Sequence, residues 1–404
     1  MKRILNLSAT APRLGALALV LPLLAFVTVS FVVPLGTLLG KSAYQPEVAR
    51  VLPQTIAELR DWTGEGLPSE DAFAAMAREL TALTENRPEL ARVAGAVNRV
   101  QSGMRGVLNR TARRLARAGQ AGSWRETLAG IDSDWEEPAT WLAIREAGAR
   151  FTLRHYLHAL DLEQRSDGGI APKAADERVY TPLMWRTLLV SLGVTLLCLV
   201  IGYPIAYMIT AAPPARGRIL LLLVLVPFWT SLLVRTTAWI VLLQRQGVIN
   251  GFLVSLGLVP DDGRLQMIYN MTGTFVAMTH VLLPFMVLPL YSVMRSIPRS
   301  HMAAAVSLGA APLQAFRRVY LPQTLPGIGA GSLLVFILAI GYYITPALVG
   351  GRTGELISSQ IAYHVQTSLN WGLAAALSSI LLVAVTALYL IYSRAIGIER
   401  MRLG

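Results

Sequence analysis

The chain has 404 residues, 54% of them apolar and 15% charged, with a formal net charge of +12. An ordinary soluble domain is about a quarter charged, so this composition excludes a disordered chain and argues against a soluble enzyme. A single cysteine, Cys198, excludes a disulfide framework and a Cys-based metal cluster, and five histidines without H-E-x-x-H spacing leave little for a His-rich metal site.

The positive charge is unevenly placed. Residues 41–180 hold 19 basic and 20 acidic residues, whereas the rest of the chain holds 17 basic residues against Asp261, Asp262, Glu355 and Glu399. The excess therefore sits between apolar runs, which is the pattern of membrane topology rather than of nucleic-acid binding.

In chain order, the first apolar run lies in 27 residues free of ionisable groups between Arg13 and Lys41 and predicts a span near 14–39. Its core is longer than that of a signal peptide and similar spans follow, so it is read as a retained helix. Gly36 to Ser42 resembles a phosphate-binding loop but is one residue short and follows an apolar helix, so ATP-driven work would need a partner. Further spans are predicted near 184–210, 219–243, 272–294, 326–348 and 372–393, since about 20 apolar residues cross a bilayer core. Backbone groups in lipid must bond within their own segment, which makes these helices.

Lys2, Arg3, Arg13, Arg216, Arg218, Arg295, Arg299, Arg317, Arg318, Arg394, Arg400 and Arg402 flank one side, against Arg245, Arg264 and Arg352 on the other. This bias predicts that both termini are cytoplasmic and that residues 41–180 lie outside. That segment reads as a helical cap. Phe73, Met76, Leu80 and Leu83 recur at helical spacing after Pro68-Ser69. Leu90, Val93, Val97, Val100, Met104, Val107 and Leu108 continue the pattern into a basic end at Arg110, Arg113, Arg114 and Arg117, which suits either a solvated, self-paired face or a docking surface for a soluble partner. A second helical stretch is predicted near 139–161, and no alternating strand pattern is visible.

Inside the spans no carboxylate is found. Arg235, towards the outer end of the third span, suits either an outer-leaflet anchor between Trp229 and Trp239 or a residue facing the pathway. Between the fourth and fifth spans the chain reads as two short helices. Ser296 and Pro298 suit the start of the first and Gly309 its left-handed end, while Pro312 starts the second and Pro322 stops it. Leu313, Phe316 and Tyr320 share a face, and Ala303, Ala304 and Ala305 give a smooth surface for close approach. Such a pair at the membrane surface suits docking by a cytoplasmic protein.

This stretch resembles the EAA loop of ABC-importer permeases in its small triplet at Ala303, in Gly309 six residues on, and in Phe316, Leu321-Pro322 and Pro326-Gly327-Ile328. The flanking sequence is similar to the spermidine/putrescine permease family. The matching pieces include Gly202-Tyr-Pro-Ile-Ala-Tyr207, Pro227-Phe-Trp-Thr-Ser231, Leu233-Val-Arg-Thr-Thr-Ala-Trp239, Leu283-Pro-Phe-Met-Val-Leu-Pro289 and Thr345-Pro-Ala-Leu-Val-Gly350. The similarity covers about 150–404 closely and 1–40 loosely, and roughly 45–148 reads as an insertion. One departure is clear: the family triplet begins with Glu, and here Ala303 stands there.

The resemblance implies an all-α, six-helix type I ABC importer (MetI-like) permease in the bacterial inner membrane. Its parts would be residues 1–40 with the first helix, the periplasmic insert 41–180, and a five-helix core 181–404 carrying the coupling loop 296–328. It also implies a second permease, two ABC ATPases that hold the ATP and Mg, a periplasmic binding protein, and a small organic cation such as a polyamine as substrate. No cofactor is expected in this chain. Trp229, Arg235, Tyr203, Tyr207, Tyr342 and Tyr343 are the pathway candidates, and Asp261, Asp262 and Glu355 could form an acidic outer mouth. An ATP-independent carrier or channel would explain the spans but not the two-helix loop, and a proton- or sodium-coupled carrier would be expected to hold an intramembrane carboxylate. An importer of another amine-containing solute stays open.

Overall fold

In the computed structural model, residues 11–117, 122–164 and 169–396 are described. Lys2, Arg3, Glu399, Arg400 and Arg402 lie outside them. The described residues are mostly helical and divide into two compact units, Met1–Tyr156 and Leu157–Gly404. The boundary falls before residue 180, so the end of the 41–180 segment belongs to the second unit.

The first unit opens with the apolar helix Leu19–Gly40, long enough to cross a membrane. Thr28–Val32 forms one wider π turn within it, and its leucines and valines are exposed, as a lipid-facing helix requires. The helices that follow wrap a core of their own. Trp135, Trp141 and Phe73 are almost fully buried, with Trp141 ring centroids 4.4 Å from Phe73 and 5.2 Å from Trp135. Both indole N–H groups are satisfied, Trp135 donating to Thr111 Oγ1 at 2.9 Å and Trp141 to the Trp135 carbonyl at 3.1 Å. Ser69 caps Glu70–Ala82 and a Ser123–Glu126 capping box starts Trp124–Ile131.

The pattern from Leu90 onwards is two helices rather than one, Arg87–Val100 and Met104–Leu115, because Gly103 turns left-handed at φ +97°. The arginines at its end are engaged within the unit: Arg110 pairs with Asp132, and Arg114 donates to the Ile131 carbonyl. The stretch expected as a helix over 139–161 is also interrupted. Pro138–Ala147 ends near Gly148, and Phe151 then pairs with Tyr44 in an isolated bridge before Arg154–Ala159.

The second unit begins with a small antiparallel hairpin, Leu162–Gln164 with Ile170–Pro172, which the sequence pattern did not announce. At three residues a strand, it is too short for alternation to show. Asp161, at φ +54° and 2% exposed, ties its base to the first turn of Tyr180–Ala211. Its carboxylate accepts from the Val179, Tyr180 and Thr181 N–H groups at 3.1, 3.2 and 2.6 Å and from the Thr181 hydroxyl at 2.6 Å. A carboxylate there also suits the positive end of the helix dipole.

Tyr180–Ala211, Met271–Ser296 and Leu321–Gly341 pack against one another around Cys198, Met278, Met286 and Val335. Gly327 and Gly331 let the last two approach. A Cβ on Gly331 would stand 2.8 Å from Met286 Sδ and 3.1 Å from its carbonyl oxygen. Among the described residues five helices are long and apolar enough to span a membrane: Leu19–Gly40, Tyr180–Ala211, Met271–Ser296, Pro312–Gly341 and Trp371–Arg394.

Two of the six predicted spans need correction. The straight helix expected over 219–243 is a pair, Pro214–Trp229 and Leu232–Ser255, bent by 99°. Thr230 and Ser231 are extended at ψ 143° and 141°, and the Thr230 hydroxyl donates to the Pro227 carbonyl at 2.9 Å, closing the first half. The span expected over 326–348 starts earlier and stops earlier, at Gly341, where Tyr342 turns extended before the short helix Ile344–Val349.

Candidate functional site

The two-helix loop is built of Arg299–Ser307, a turn at Gly309 with φ +90°, and Pro312–Ala315. Pro298 stands at the N-cap of the first helix. Ser296 does not cap it; its hydroxyl donates back to the Val293 carbonyl at 2.8 Å. Pro322 does not stop the second helix either. Phe316–Tyr320 forms a π turn in which the Leu321 N–H reaches the Phe316 carbonyl, and the helix runs on to Gly341. Proline has no N–H to place, so it fits where the hydrogen-bond register changes.

Ala303 and Ala304 are exposed and Ala305 half-exposed. Val306 is 47% exposed, Leu308 90% and Leu313 61%, so this end of the element carries apolar side chains with nothing packed on them. Leu313 thus does not share the inner face with Phe316 and Tyr320. Those two stack at 5.6 Å, and Phe316 meets Tyr203 and Tyr207 edge-on at 6.3 and 6.1 Å. Tyr207 also meets Tyr320 at 5.5 Å, and the Tyr203 hydroxyl meets Thr324 Oγ1 at 3.1 Å. Tyr203 and Tyr207, expected along a pathway, are therefore placed against the loop. A third tie joins His301 Nδ1 to Gln323 Oε1 at 2.8 Å. Displacement of the loop would be felt by Tyr180–Ala211 through the Phe316 and Tyr320 rings and by Leu321–Gly341 through the His301 tie. Leu321 is half-buried and Pro322 exposed at the same junction.

A second cluster gathers where helices break. The Arg235 guanidinium donates through Nη2 to the Thr230 carbonyl at 3.1 Å, a group the bend leaves free, while its buried Nε has no hydrogen-bond partner. One turn of helix away from the break, the Thr236 hydroxyl meets that of Thr345 at 3.3 Å, both side chains buried. Trp239 Nε1 donates to His280 Nδ1 at 3.1 Å. The carbonyl of Tyr342, freed where the Leu321–Gly341 helix ends, accepts from the Ser358 hydroxyl at 2.7 Å. Two interrupted helices thus face each other, with polar groups turned inward. Irregular backbone at membrane depth is tolerated only where protein or a water-filled cavity covers it. Tyr342 and Tyr343 are half-buried here, whereas Trp229 is 74% exposed at the bend, as an interfacial or lipid-facing ring would be. Thr236, Thr345, His280 and Ser358 were not nominated from sequence. The signal available was the Thr230-Ser231 pair breaking an apolar run.

Two of the acidic side chains, Asp261 and Glu355, are engaged, and Asp262 is met at its backbone carbonyl. Asp261 Oδ1 pairs with Arg264 at 2.7 Å, the Asp262 carbonyl accepts from Arg245 at 3.0 Å, and Glu355 accepts from Gln360 at 2.7 Å. Among the described residues these contacts run to Arg264, Arg245 and Gln360 rather than from one acidic residue to another.

Residues 202–396 match the family described as binding-protein-dependent transport system inner membrane components. The chain is 36% identical over 222 residues to the spermidine/putrescine transport system permease protein PotB of Escherichia coli K12, covering 54% of this chain and 80% of that protein. The chain belongs to this family. The permease is also 33% identical over 226 residues to the inner membrane ABC transporter permease protein YdcU of the same organism, covering 53% of this chain and 71% of the relative. Among solved structures, a bacterial ABC transporter involved in import of the acidic polysaccharide alginate aligns at TM-score 0.48 and 17% identity, covering 62% of this chain and 84% of that one. The family match lies wholly within the second unit and contains both clusters. The permease is a multi-pass membrane subunit of an ABC importer.

Proposed function

We propose that the permease forms half of the translocation pathway for a small organic cation of the polyamine class, with a second permease forming the other half. The observation that carries this reading is the two-helix loop. Its outer side chains are apolar and unpartnered, and its inner rings are wedged against two spans. An ATPase would seat on Ala303, Ala304, Ala305 and Gly309 and hold the ATP and Mg. Its closure would push Phe316 and Tyr320 against Tyr203 and Tyr207 and so tilt the spans between inward- and outward-facing states.

The facing breaks at Thr230-Ser231 and Tyr342-Tyr343 are where the pathway would open, with Arg235 beside them. A binding protein would deliver the solute on the opposite side, where residues 41–180 would lie in the periplasm. The arginine bias then sets both termini in the cytoplasm. The likeness to PotB supports the polyamine class. Selectivity would rest on the binding protein, since the described spans hold no carboxylate to grip a cation.

The test has two parts. Mass spectrometry of native-membrane complexes in mild detergent is expected to recover an ABC ATPase and a second permease in fixed ratio. Proteoliposomes of that complex with its binding protein are expected to take up spermidine or putrescine on ATP addition. Recovery of the chain alone after cross-linking at the loop would overturn the importer reading. Uptake of a different solute would overturn only the substrate.

A further inference from the structure

Two cavities in the second unit share Ile209. The larger, about 720 Å³, is lined by Arg218, Arg295 and Arg299 together with Tyr207, Tyr291 and Tyr320. The smaller, about 330 Å³, is a groove of apolar side chains that include Met208, Leu220 and Leu223, with His280 at one point of its wall. The basic cavity sits where spans end: past Ala211, at Ser296, and at the start of Pro214–Leu225. It therefore lies at a membrane surface, and the apolar groove leads from it along the spans.

Among the described residues no carboxylate lines either cavity. Among the described residues Arg295 meets a neutral ring and hydroxyl, donating to Tyr291 Oη at 2.5 Å and standing 5.8 Å from the ring centroid. Of the acidic residues in the spans' loops, Asp261 pairs through its carboxylate with Arg264 and Glu355 accepts from Gln360, and neither these two nor Asp262 line the cavity. Two helices also begin at this cavity, with Pro213 and Pro298 at their N-caps, adding the positive ends of their dipoles. Three guanidinium forks around one space match the oxygens of a phosphate.

We infer that this amphipathic site binds an anionic phospholipid, its phosphate between Arg218 and Arg299 and one acyl chain in the groove. A free phosphate ion would satisfy the arginines but has no use for the groove. Met208, Ile219 and Leu223 beside it are 59, 60 and 61% exposed, so the groove opens to the side that faces lipid. The bound headgroup would bridge the start of Pro214–Leu225 to Arg299, the first residue of the loop helix, and so make loop position depend on the lipid. This inference rests on the reading of the chain as a multi-pass permease and not on its substrate.

The test is native mass spectrometry of the full chain in mixed micelles containing either phosphatidylglycerol or phosphatidylethanolamine of the same acyl chains. Phosphatidylglycerol adducts are expected to persist, and phosphatidylethanolamine adducts to be lost. Arg218→Gln with Arg299→Gln should weaken retention about thirtyfold, from the usual contribution of each basic residue at an anionic surface. The charge-matched pair Arg216→Gln with Arg317→Gln, neither of which lines the cavity, should leave retention unchanged. Leu223→Trp, which fills the groove, should weaken it, and excess inorganic phosphate should not displace the lipid. Equal retention of the two lipids, or unchanged retention in the Arg218/Arg299 variant, would overturn the site. Displacement by phosphate with Leu223→Trp behaving as wild type would mark a free-anion site and overturn the lipid assignment. Should the double variant aggregate, Arg299→Gln alone, at an exposed side chain, reads the same comparison.

Discussion

Phe316→Ala tests whether the aromatic wedge transmits loop movement. The half-buried ring makes three ring contacts, at 6.3 Å to Tyr203, 6.1 Å to Tyr207 and 5.6 Å to Tyr320. A fully buried Phe→Ala costs about 3–5 kcal/mol and each aromatic pair contributes about 0.5–1.5 kcal/mol. Partial exposure roughly halves the larger figure, so the seated arrangement loses about 2 kcal/mol, or about thirtyfold in its equilibrium against an unseated loop. The assay is spermidine uptake and ATP hydrolysis measured in parallel in proteoliposomes of the assembled complex, with the thermal unfolding of the chain as control. Uptake per ATP should fall by up to about thirtyfold. The chain should stay assembled and lose only about 4–8 °C in melting temperature. Phe316→Leu, which keeps much of the volume, should restore about half of the loss in free energy. Uptake per ATP equal to wild type in Phe316→Ala would refute the reasoning. So would a loss of uptake matched step for step by loss of the chain from the membrane.

The remaining predictions concern other parts of the chain. Replacing roughly residues 45–148 by a short Gly-Ser link should leave membrane insertion intact and lower uptake by reducing delivery from the binding protein. The chain enters and leaves that segment side by side, with Gln45 N–H on the Arg150 carbonyl and Thr152 N–H on the Ala43 carbonyl, both at 2.9 Å. Unchanged uptake would remove the delivery role. Burial alone would raise the Asp161 carboxyl, but the Thr181 hydroxyl and the N–H groups of Thr181, Val179 and Tyr180 outweigh it and hold it below the usual carboxylate range. A depressed folded value means stabilisation that is present above about pH 4, the unfolded value, and is lost as pH falls through the folded one. Asp161→Asn should accordingly lower stability at pH 7 by about 1–3 kcal/mol and flatten the acid limb of melting temperature against pH. A parallel acid limb in the variant would assign that limb to other groups. Gly331→Val should cost about 1–3 kcal/mol or more, since even a Cβ there stands 2.8 Å from Met286 Sδ, and thermal unfolding in detergent measures it.

Residue composition and charge order by themselves determined that this is a helical membrane protein, roughly where its spans lie, and that a two-helix element sits between two of them. Lipid leaves the backbone no partner but itself, so a charge-free run of about 20 apolar residues has one stable form. Gly309 announced its left-handed turn because only glycine takes φ +90° without cost. Continuity of helices was not available in the same way. Pro204, Pro284 and Pro289 lie within unbroken helices, Pro322 is passed by a π turn, and the real break comes at Thr230-Ser231. Whether a proline or a serine ends a helix depends on what accepts the freed backbone groups, and those partners come from distant residues. Ser358 on the Tyr342 carbonyl is such a partner.

Tertiary structure alone also decided which aromatic residues meet. Tyr203 and Tyr207 read from sequence as pathway rings, yet they lie against Phe316, more than 100 positions away, and Gly202 and Gly331 let both of those spans pack closely on Met271–Ser296. The meeting of Arg218, Arg295 and Arg299 around one cavity has the same origin: the charge bias places them at one surface, and only the packing of the spans makes them neighbours.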